Sequence, residues 1–217
     1  MEIINLGEKN SILNSFIAQM RDREIQKDSM RFRKNLHRVG EIFGYEISKG
    51  LNYAVKDVVT PLATAKVSLP EDKIVVATIL RAGLPLHDGI LDFFDNAENA
   101  FVAAYRKYDS EMEFHIHTEY CVCPELSGKT VILADTMLAT GSSIEVAIEV
   151  LCKEGGKPDH IHLVCPIASA KAVENLKKSM PENVTLWVAT IDPELNSHSY
   201  IIPGLGDAGD LAFGEKL

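Results

Sequence analysis

The chain lacks any long apolar run: nothing in its 217 residues approaches the roughly 20 apolar positions that a membrane span requires. Its opening, Met1-Glu-Ile-Ile-Asn-Leu-Gly-Glu8, lacks the basic and apolar regions of a secretory signal. The expected setting is therefore cytoplasmic, with no membrane partner. Cysteine is sparse. Cys121, Cys123, Cys152 and Cys165 are all there is, and without a secretion signal they are expected to be reduced thiols, not bridges. Positive charge is in deficit as well, with 22 Lys and Arg against 31 Asp and Glu. The formal charge of -9 disfavours general binding to nucleic acid or to an anionic membrane. Internal repeats and low-complexity tracts are missing too. With 46% hydrophobic residues, the chain can bury a full core as one domain over 1–217.

What is there is organised around Thr130-Val-Ile-Leu-Ala-Asp-Thr-Met-Leu-Ala-Thr-Gly-Ser-Ser143. Val131–Ala134 is a short apolar run, as in a buried strand of a parallel sheet. Asp135 then falls at the strand's carboxyl end, where open α/β sheets place their ligands. Ala139, Thr140, Gly141, Ser142 and Ser143 turn into a helical run whose apolar positions are Ile144, Ala147, Ile148 and Leu151. Glycine lets backbone approach a ligand, the hydroxyls can donate, and the free amides of a first helical turn favour an anion. The loop carries no lysine, unlike the nucleotide-triphosphate loop, and its turn is not the Gly-x-Gly-x-x-Gly of dinucleotide folds. Amides and hydroxyls alone suit a single terminal phosphate, and the adjacent acid suits the hydroxyls of the sugar that carries it.

Along the rest of the chain, Ile12, Phe16 and Met20 predict an amphipathic helix over 11–26. A second helix carries Phe32, Leu36, Val39 and Phe43 on one face, and a solvated basic face of Arg31, Arg33, Lys34 and Arg38 on the other. Residues 58–67 read as an extended or hairpin segment, with Pro61 confining it to an edge or a turn. Strands are expected at 74–80, 100–105, 114–122, 130–135, 160–165 and 184–190, and helices at 86–94, 144–153 and 170–179. That alternation predicts an α/β fold with a mainly parallel sheet covered on both faces. Arg81, Arg106 and Asp135, each at the end of a strand, would then converge on one rim.

Asp135-Thr-Met-Leu-Ala-Thr-Gly141 resembles the phosphoribosyl-pyrophosphate motif of the phosphoribosyltransferases, and most closely its form in the uracil phosphoribosyltransferase family. Ile79-Leu-Arg-Ala-Gly-Leu84 matches that family's pyrophosphate loop, and Tyr105-Arg106 its second arginine. Tyr200-Ile-Ile-Pro-Gly-Leu-Gly-Asp-Ala-Gly-Asp210 resembles its uracil-recognition segment. The resemblance implies a twisted parallel sheet flanked by helices, with amino-terminal helices over about 1–50 and a small extended flap. It implies conversion of uracil and phosphoribosyl pyrophosphate to uridine monophosphate and pyrophosphate. Asp135, Arg106 and Asp207 would be catalytic. Phosphoribosyl pyrophosphate would be held by Arg81, Arg106, Asp135, Thr136, Met137, Leu138, Ala139, Thr140, Gly141, Ser142, Ser143 and Asp207, and uracil by Ile201, Gly206, Asp207 and Ala208. Mg²⁺ would arrive on the substrate with no direct protein ligand, the assembly would be a homo-oligomer, and GTP activation, seen in some relatives, stays open.

The chain departs from the family pattern at three places. Thr136 stands where proline is usual; threonine can adopt the same extended backbone. Ser142 replaces a second glycine and would be strained if that position needed a positive φ. His115, His117, Cys121 and Cys123 offer four zinc-type ligands at period-two spacing, yet one extended strand spreads them apart, so strand histidines and buried thiols are the expected reading; His160 and His162 are read the same way. Two other classes share the cradle. An RNA-binding nucleotide sensor should show a basic face, and a transferase for another base should have a different tail.

Overall fold

The computed structural model describes residues 1–108 and 114–215, with backbone alone at 104–108 and 114–118. In chain order the elements are β1 (Glu2–Asn5), α1 (Leu13–Arg21), α2 (Ser29–Ser48), β2 (Tyr53–Val59), β3 (Thr64–Pro70), β4 (Ile74–Ile79) and α3 (Leu84–Leu91). There follow β5 (Glu98–Tyr108), β6 (Phe114–Val122), β7 (Thr130–Ala134), β8 (Met137–Leu138), α4 (Ser142–Gly155), β9 (His160–Val164) and β10 (Ile167–Ser169). The last are α5 (Ala170–Ser179), β11 (Val184–Val188), β12 (Thr190–Asp192), β13 (Glu194–Leu195), β14 (Ile201–Ile202) and α6 (Ala208–Phe213).

Seven strands form the main sheet in the order β1-β11-β9-β7-β4-β5-β6, parallel except for the last pair. The central strand β7 is buried along its whole length, which is why it is an uninterrupted Val-Ile-Leu-Ala run without alternation. Val131 and Leu133 point into one core with Ile144, Ala147 and Leu151 of α4 and Leu176 of α5. Ile132 and Ala134 point into the other, with Phe32, Leu36, Val39 and Phe43 of α2 and Leu86 and Ile90 of α3. Parallel strands deliver all their carboxyl ends to one edge, and the loops after β4 and β7 meet there.

Three expectations are corrected. The first helix is shorter than 11–26 and turned by one residue: Leu13, Ile17 and Met20 are buried, while Ile12 is 63% exposed. It stops because the Asp22 side chain accepts from the amides of Glu24 and Ile25, a local turn that competes with helix. The helix after Arg81 begins earlier, at Leu84, with Pro85 in its first turn. The strand bearing Arg106 does not end there; β5 runs to Tyr108 and pairs antiparallel with β6, Arg106 lying opposite Ile116. The segment around Pro61 is a hairpin as expected, with β2 and β3 forming a separate two-stranded sheet. The basic face of α2 is also less free than its composition suggests. Arg33 donates to the Ala212 carbonyl at 2.7 Å, and the Arg38 guanidinium lies 5.3 Å from the Phe16 ring centroid.

Helices α2 and α3 cross at backbone contact. A Cβ on Gly89 would overlap the His37 carbonyl, and one on Gly40 would overlap that of Leu86. Gly89→Ala is therefore expected to destabilise the fold by about 1–3 kcal/mol through forced separation of the pair. Urea unfolding should show a lower midpoint with an unchanged slope; an unchanged midpoint would mean that the crossing can relax.

Candidate active site

At the carboxyl edge of the sheet, a cavity of about 220 Å³ is lined by Ile79, Leu80, Arg81 and Ala82 after β4, by Asp135 after β7, and by Asp207 and Gly209 of the tail. Segments as far apart in sequence as Arg81 and Asp207 thus share one cleft, and each has its own restraint. The Asp135 amide donates to the Val164 carbonyl at 2.9 Å, and its Oδ1 accepts from the Thr136 amide at 2.7 Å. Burial pushes the Asp135 carboxyl up to about 7, against the lowering pull of the Thr136 and Met137 amides. Part of its surface opens on the cleft, so ligands and water reach a carboxylate that protein otherwise surrounds.

Gly141 holds φ at +93° and caps α4. The left-handed residue of the turn is therefore the glycine, and Ser142 begins the helix without the strain its substitution suggested. The Ser142 amide faces the Thr140 hydroxyl at 3.4 Å, and the two hydroxyls lie 3.3 Å apart. The loop is clamped from behind: Ser169 Oγ donates to the Ala139 carbonyl at 2.6 Å, and Asn175 Nδ2 to the Thr140 carbonyl at 3.2 Å. Sequence reasoning missed both clamps. Ser169, directly before an amphipathic run, had the signature of a helix cap, and it does cap α5 through the Ala172 amide. The partnership across the sheet edge had no local signal.

Of the residues expected to hold phosphoribosyl pyrophosphate, Met137 and Leu138 form the short strand β8. They pair with Ile167 and Ala168 in a small sheet of β12, β10 and β8, and the Leu138 side chain is in the core. Thr136 is buried as well. Arg106 lies in the β5 strand beyond the sheet edge, and its side chain falls outside the described residues. Arg81 reaches Asp210 Oδ1 at 3.5 Å and the Gly214 carbonyl at 3.3 Å, long contacts that a bound anion could replace.

The tail is built to offer backbone. Ile201, Leu205 and Ala208 turn their side chains inward, while Gly206 holds φ at +96° with open space where a side chain would stand. Asp207 caps α6 by accepting from the Asp210 amide at 3.0 Å. The tail's turn is fixed by Asp192, which accepts from the Gly204 amide at 2.9 Å and takes both oxygens to Arg21 Nη2 at 2.8 and 2.9 Å. This buried ion pair, from α1 to β12, was not legible in the sequence.

Two stretches match the Gly-Lys-Thr and Gly-x-Gly-x-x-Gly text of other phosphate loops but lack the strand-to-helix setting that those loops have on a parallel sheet. Gly128-Lys129-Thr130 enters β7 from the opposite edge, and Lys129 pairs with Glu98. Gly204-Leu-Gly-Asp-Ala-Gly209 follows the two-residue β14 and opens a six-residue helix outside the main sheet. As for zinc, the His115 and His117 side chains fall outside the described residues. Burial raises the Cys121 thiol, and it raises Cys123 to about 11, so both favour the neutral form that binds metal poorly.

A glycine turn into a helix, an acid before it and an arginine after the neighbouring parallel strand are the arrangement that the resemblance to the phosphoribosyltransferases implies. The comparisons agree. A solved hypoxanthine phosphoribosyltransferase from Staphylococcus aureus shares the fold at a TM-score of 0.50, with 13% identity, covering 75% of this chain and 76% of that one. A solved protein from Aquifex aeolicus matches at a TM-score of 0.84 and 31% identity, covering 98% of both chains. The family model described as uracil phosphoribosyltransferase matches residues 8–215. The uracil phosphoribosyltransferase of Porphyromonas gingivalis is 55% identical over the full length of both chains. That of Pyrococcus furiosus is 36% identical over 97% of this chain and 89% of its own. The chain belongs to the uracil phosphoribosyltransferase family.

The raised Asp135 carboxyl sets a pH dependence. Unfolded, the group titrates near 3.8, and folded near 7. Its contribution to stability is fully present below the first value and is lost as pH rises through the second, because the folded state binds the extra proton in between. Asp135→Asn should remove that loss. On the alkaline side of the window the ligand-free variant should melt above the parent, and on the acid side the two should coincide, as scanning calorimetry would show. A variant that melts lower at alkaline pH would mean that the ionised carboxylate is stabilised in place.

Proposed function

We propose that the chain converts uracil and 5-phospho-α-D-ribose 1-diphosphate to uridine monophosphate and diphosphate, a step of pyrimidine salvage. The observation that carries this reading is the cleft that joins Asp135, Arg81 and the Asp207 tail, combined with membership of the family. The loop of Ala139, Thr140, Gly141, Ser142 and Ser143 is read as the seat of the 5-phosphate. Its anion would meet backbone amides and hydroxyls that are already oriented, so little reorganisation is needed. Asp135 would accept from the ribose hydroxyls. As the pyrophosphate leaves, the sugar becomes oxocarbenium-like, and a carboxylate in a low-dielectric cleft stabilises positive charge that develops beside it.

Arg81 would exchange its long contacts for the pyrophosphate oxygens, with Arg106 reaching from β5. The cleft's own metal-type donors are the oxygens of Asp135 and Asp207, which suits a hard cation. Mg²⁺ bound through the substrate would neutralise pyrophosphate charge. Asp207 would orient base and sugar together. Alignment and charge placement do the chemistry, with no covalent nucleophile.

Uracil recognition is read into the backbone at Ile201, Gly206 and Ala208, since their side chains are buried or absent. Backbone donors and acceptors cannot flip, so cytosine would oppose like groups at two positions of its edge. Each unpaired buried group costs about 1–3 kcal/mol, giving discrimination of at least roughly a hundredfold. The negative formal charge and the retained tail favour this reading over an RNA-binding sensor or a transferase for another base.

Incubation of uracil, cytosine and hypoxanthine with phosphoribosyl pyrophosphate and Mg²⁺ should release pyrophosphate with uracil alone; release with hypoxanthine instead would overturn the base assignment. Asp135→Asn should lower kcat/KM by about 2–4 kcal/mol of transition-state stabilisation, whereas a loss of only a few-fold would remove Asp135 from its role. Gly206→Val should abolish use of uracil while phosphoribosyl pyrophosphate still binds, and parental turnover would place the base elsewhere. Arg81→Ala should weaken phosphoribosyl pyrophosphate more than ribose 5-phosphate, and equal weakening would place Arg81 away from the pyrophosphate.

A further inference from the structure

The catalytic reading leaves His160 and His162 without a role. Both lie at the amino end of β9, the edge of the sheet opposite the Asp135 cleft. On the face that α1 and α2 cover further along, the strand register sets Glu2, Thr185 and His162 side by side, with Thr130 beside His160. Positions that a packed helix would make apolar are polar here. They open on a cavity of about 710 Å³, whose lining is completed by the chain after α2 and by the segment leading into β4.

The wall of this cavity is ordered in detail. Trp187 Nε1 donates to His162 Nδ1 at 3.1 Å. An indole nitrogen only donates, so the neutral imidazole carries its proton on Nε2 and offers a fixed donor. Burial, with His160 adding to it, holds His162 down at about 4 and hence neutral in ordinary buffers. The His160 and His162 ring centroids are 4.5 Å apart, and those of His162 and Trp187 are 5.9 Å apart. Asp72 is pinned by the Asn52 amide, by Asn52 Nδ2 and by the Thr130 hydroxyl. The charged residues of the lining are Glu2, Glu71, Asp72 and Asp159 against Lys73 alone.

We propose that this cavity is a second ligand site, for an uncharged planar nitrogen heterocycle such as a free nucleobase or nucleoside, and that it rejects nucleotides. The volume lies within the roughly 300–1,000 Å³ range of small-molecule sites. The half-buried His160 ring offers a face to a flat partner, backed by the buried rings of His162 and Trp187. The His162 Nε2–H suits a ring carbonyl or ring nitrogen, and the carboxylates of the rim repel a phosphate. The site stands independently of the catalytic assignment, since it shares no residue with the Asp135 cleft.

Trp187 is the only tryptophan of the chain, so its fluorescence reports this wall directly. The test is a titration of the purified protein with adenine, adenosine and cytidine, and with the 5′-monophosphates of the two nucleosides. None of these carries the base that the catalytic tail is read to accept. A nucleoside or base should shift the emission saturably, at least about tenfold more tightly than the monophosphates. His162→Phe keeps a ring but loses the donor, and should weaken binding about five- to tenfold, the worth of one neutral hydrogen bond, while uracil-dependent pyrophosphate release is retained. If that variant does not fold, Asp72→Asn serves instead, and it should narrow the preference for nucleoside over monophosphate. The proposal fails if no compound gives a saturable shift, if monophosphates bind as tightly as nucleosides, or if the variants leave the titration unchanged.

Discussion

The structure depends on the burial of β7. Four consecutive apolar residues surrounded on both faces, and hydrogen-bonded to β4 and β9, can only end where the sheet ends. The first polar side chain after them, Asp135, must therefore emerge at the carboxyl rim. Burial that makes the strand rigid also strips water from this carboxyl and lifts its proton affinity to about 7. One desolvation effect thus gives both a fixed position and a group whose charge responds to what binds beside it. The energy lost in holding an ionised acid there is the counterpart of its proposed use against positive charge on a sugar.

Around that acid, the loops that would meet a ligand are held by residues far from them in sequence. Ser169 and Asn175 tie down the turn before α4, and Asp192 and Arg21 tie down the tail. Each clamp is a side chain on a regular element reaching a backbone group in a loop. The 139–143 turn is clamped through its carbonyls, so it borrows rigidity from β10 and α5 without giving up its amides to these clamps. Arg81 is the exception: its contacts to Asp210 and Gly214 are long and solvent-exposed, as expected of a group that changes partners.

The two edges of the sheet are chemically opposite in design. The carboxyl edge gathers Arg81, Asp135 and Asp207 around a small cleft. The amino edge gathers two imidazoles, an indole and four carboxylates, Glu71 among them paired with Lys56, around a larger one. On the proposed readings, a phosphate would find donors at the first edge and an excess of carboxylates at the second. The stretch of each parallel strand determines which edge a residue serves, so His-x-His at the start of β9 and Ala-Asp at the end of β7 are separated by the same geometry that makes the sheet.

Local signals determined the architecture and the heart of the site. Apolar runs gave the strands, helical spacing gave α2, α4 and α5, and the order strand, acid, glycine turn, helix placed Asp135 and Gly141 at the rim, because a parallel sheet allows that sequence of elements no other destination. The family resemblance was carried by equally local text, at Ile79–Leu84, Asp135–Gly141 and Tyr200–Asp210. Tertiary structure alone decided which of those side chains are buried. Leu138 and Ile201 sit inside motifs yet turn to the core, Ser142 is relaxed because Gly141 takes the positive φ, and β5 carries Arg106 past the edge where its apolar run seemed to stop. The clamps at Ser169, Asn175, Arg21 and Asp192, and the cavity around His162 and Trp187, join residues 12 to 171 positions apart. The hydrogen bonds involved depend on ångström distances between separate strands and helices, a quantity that spacing along one chain does not contain.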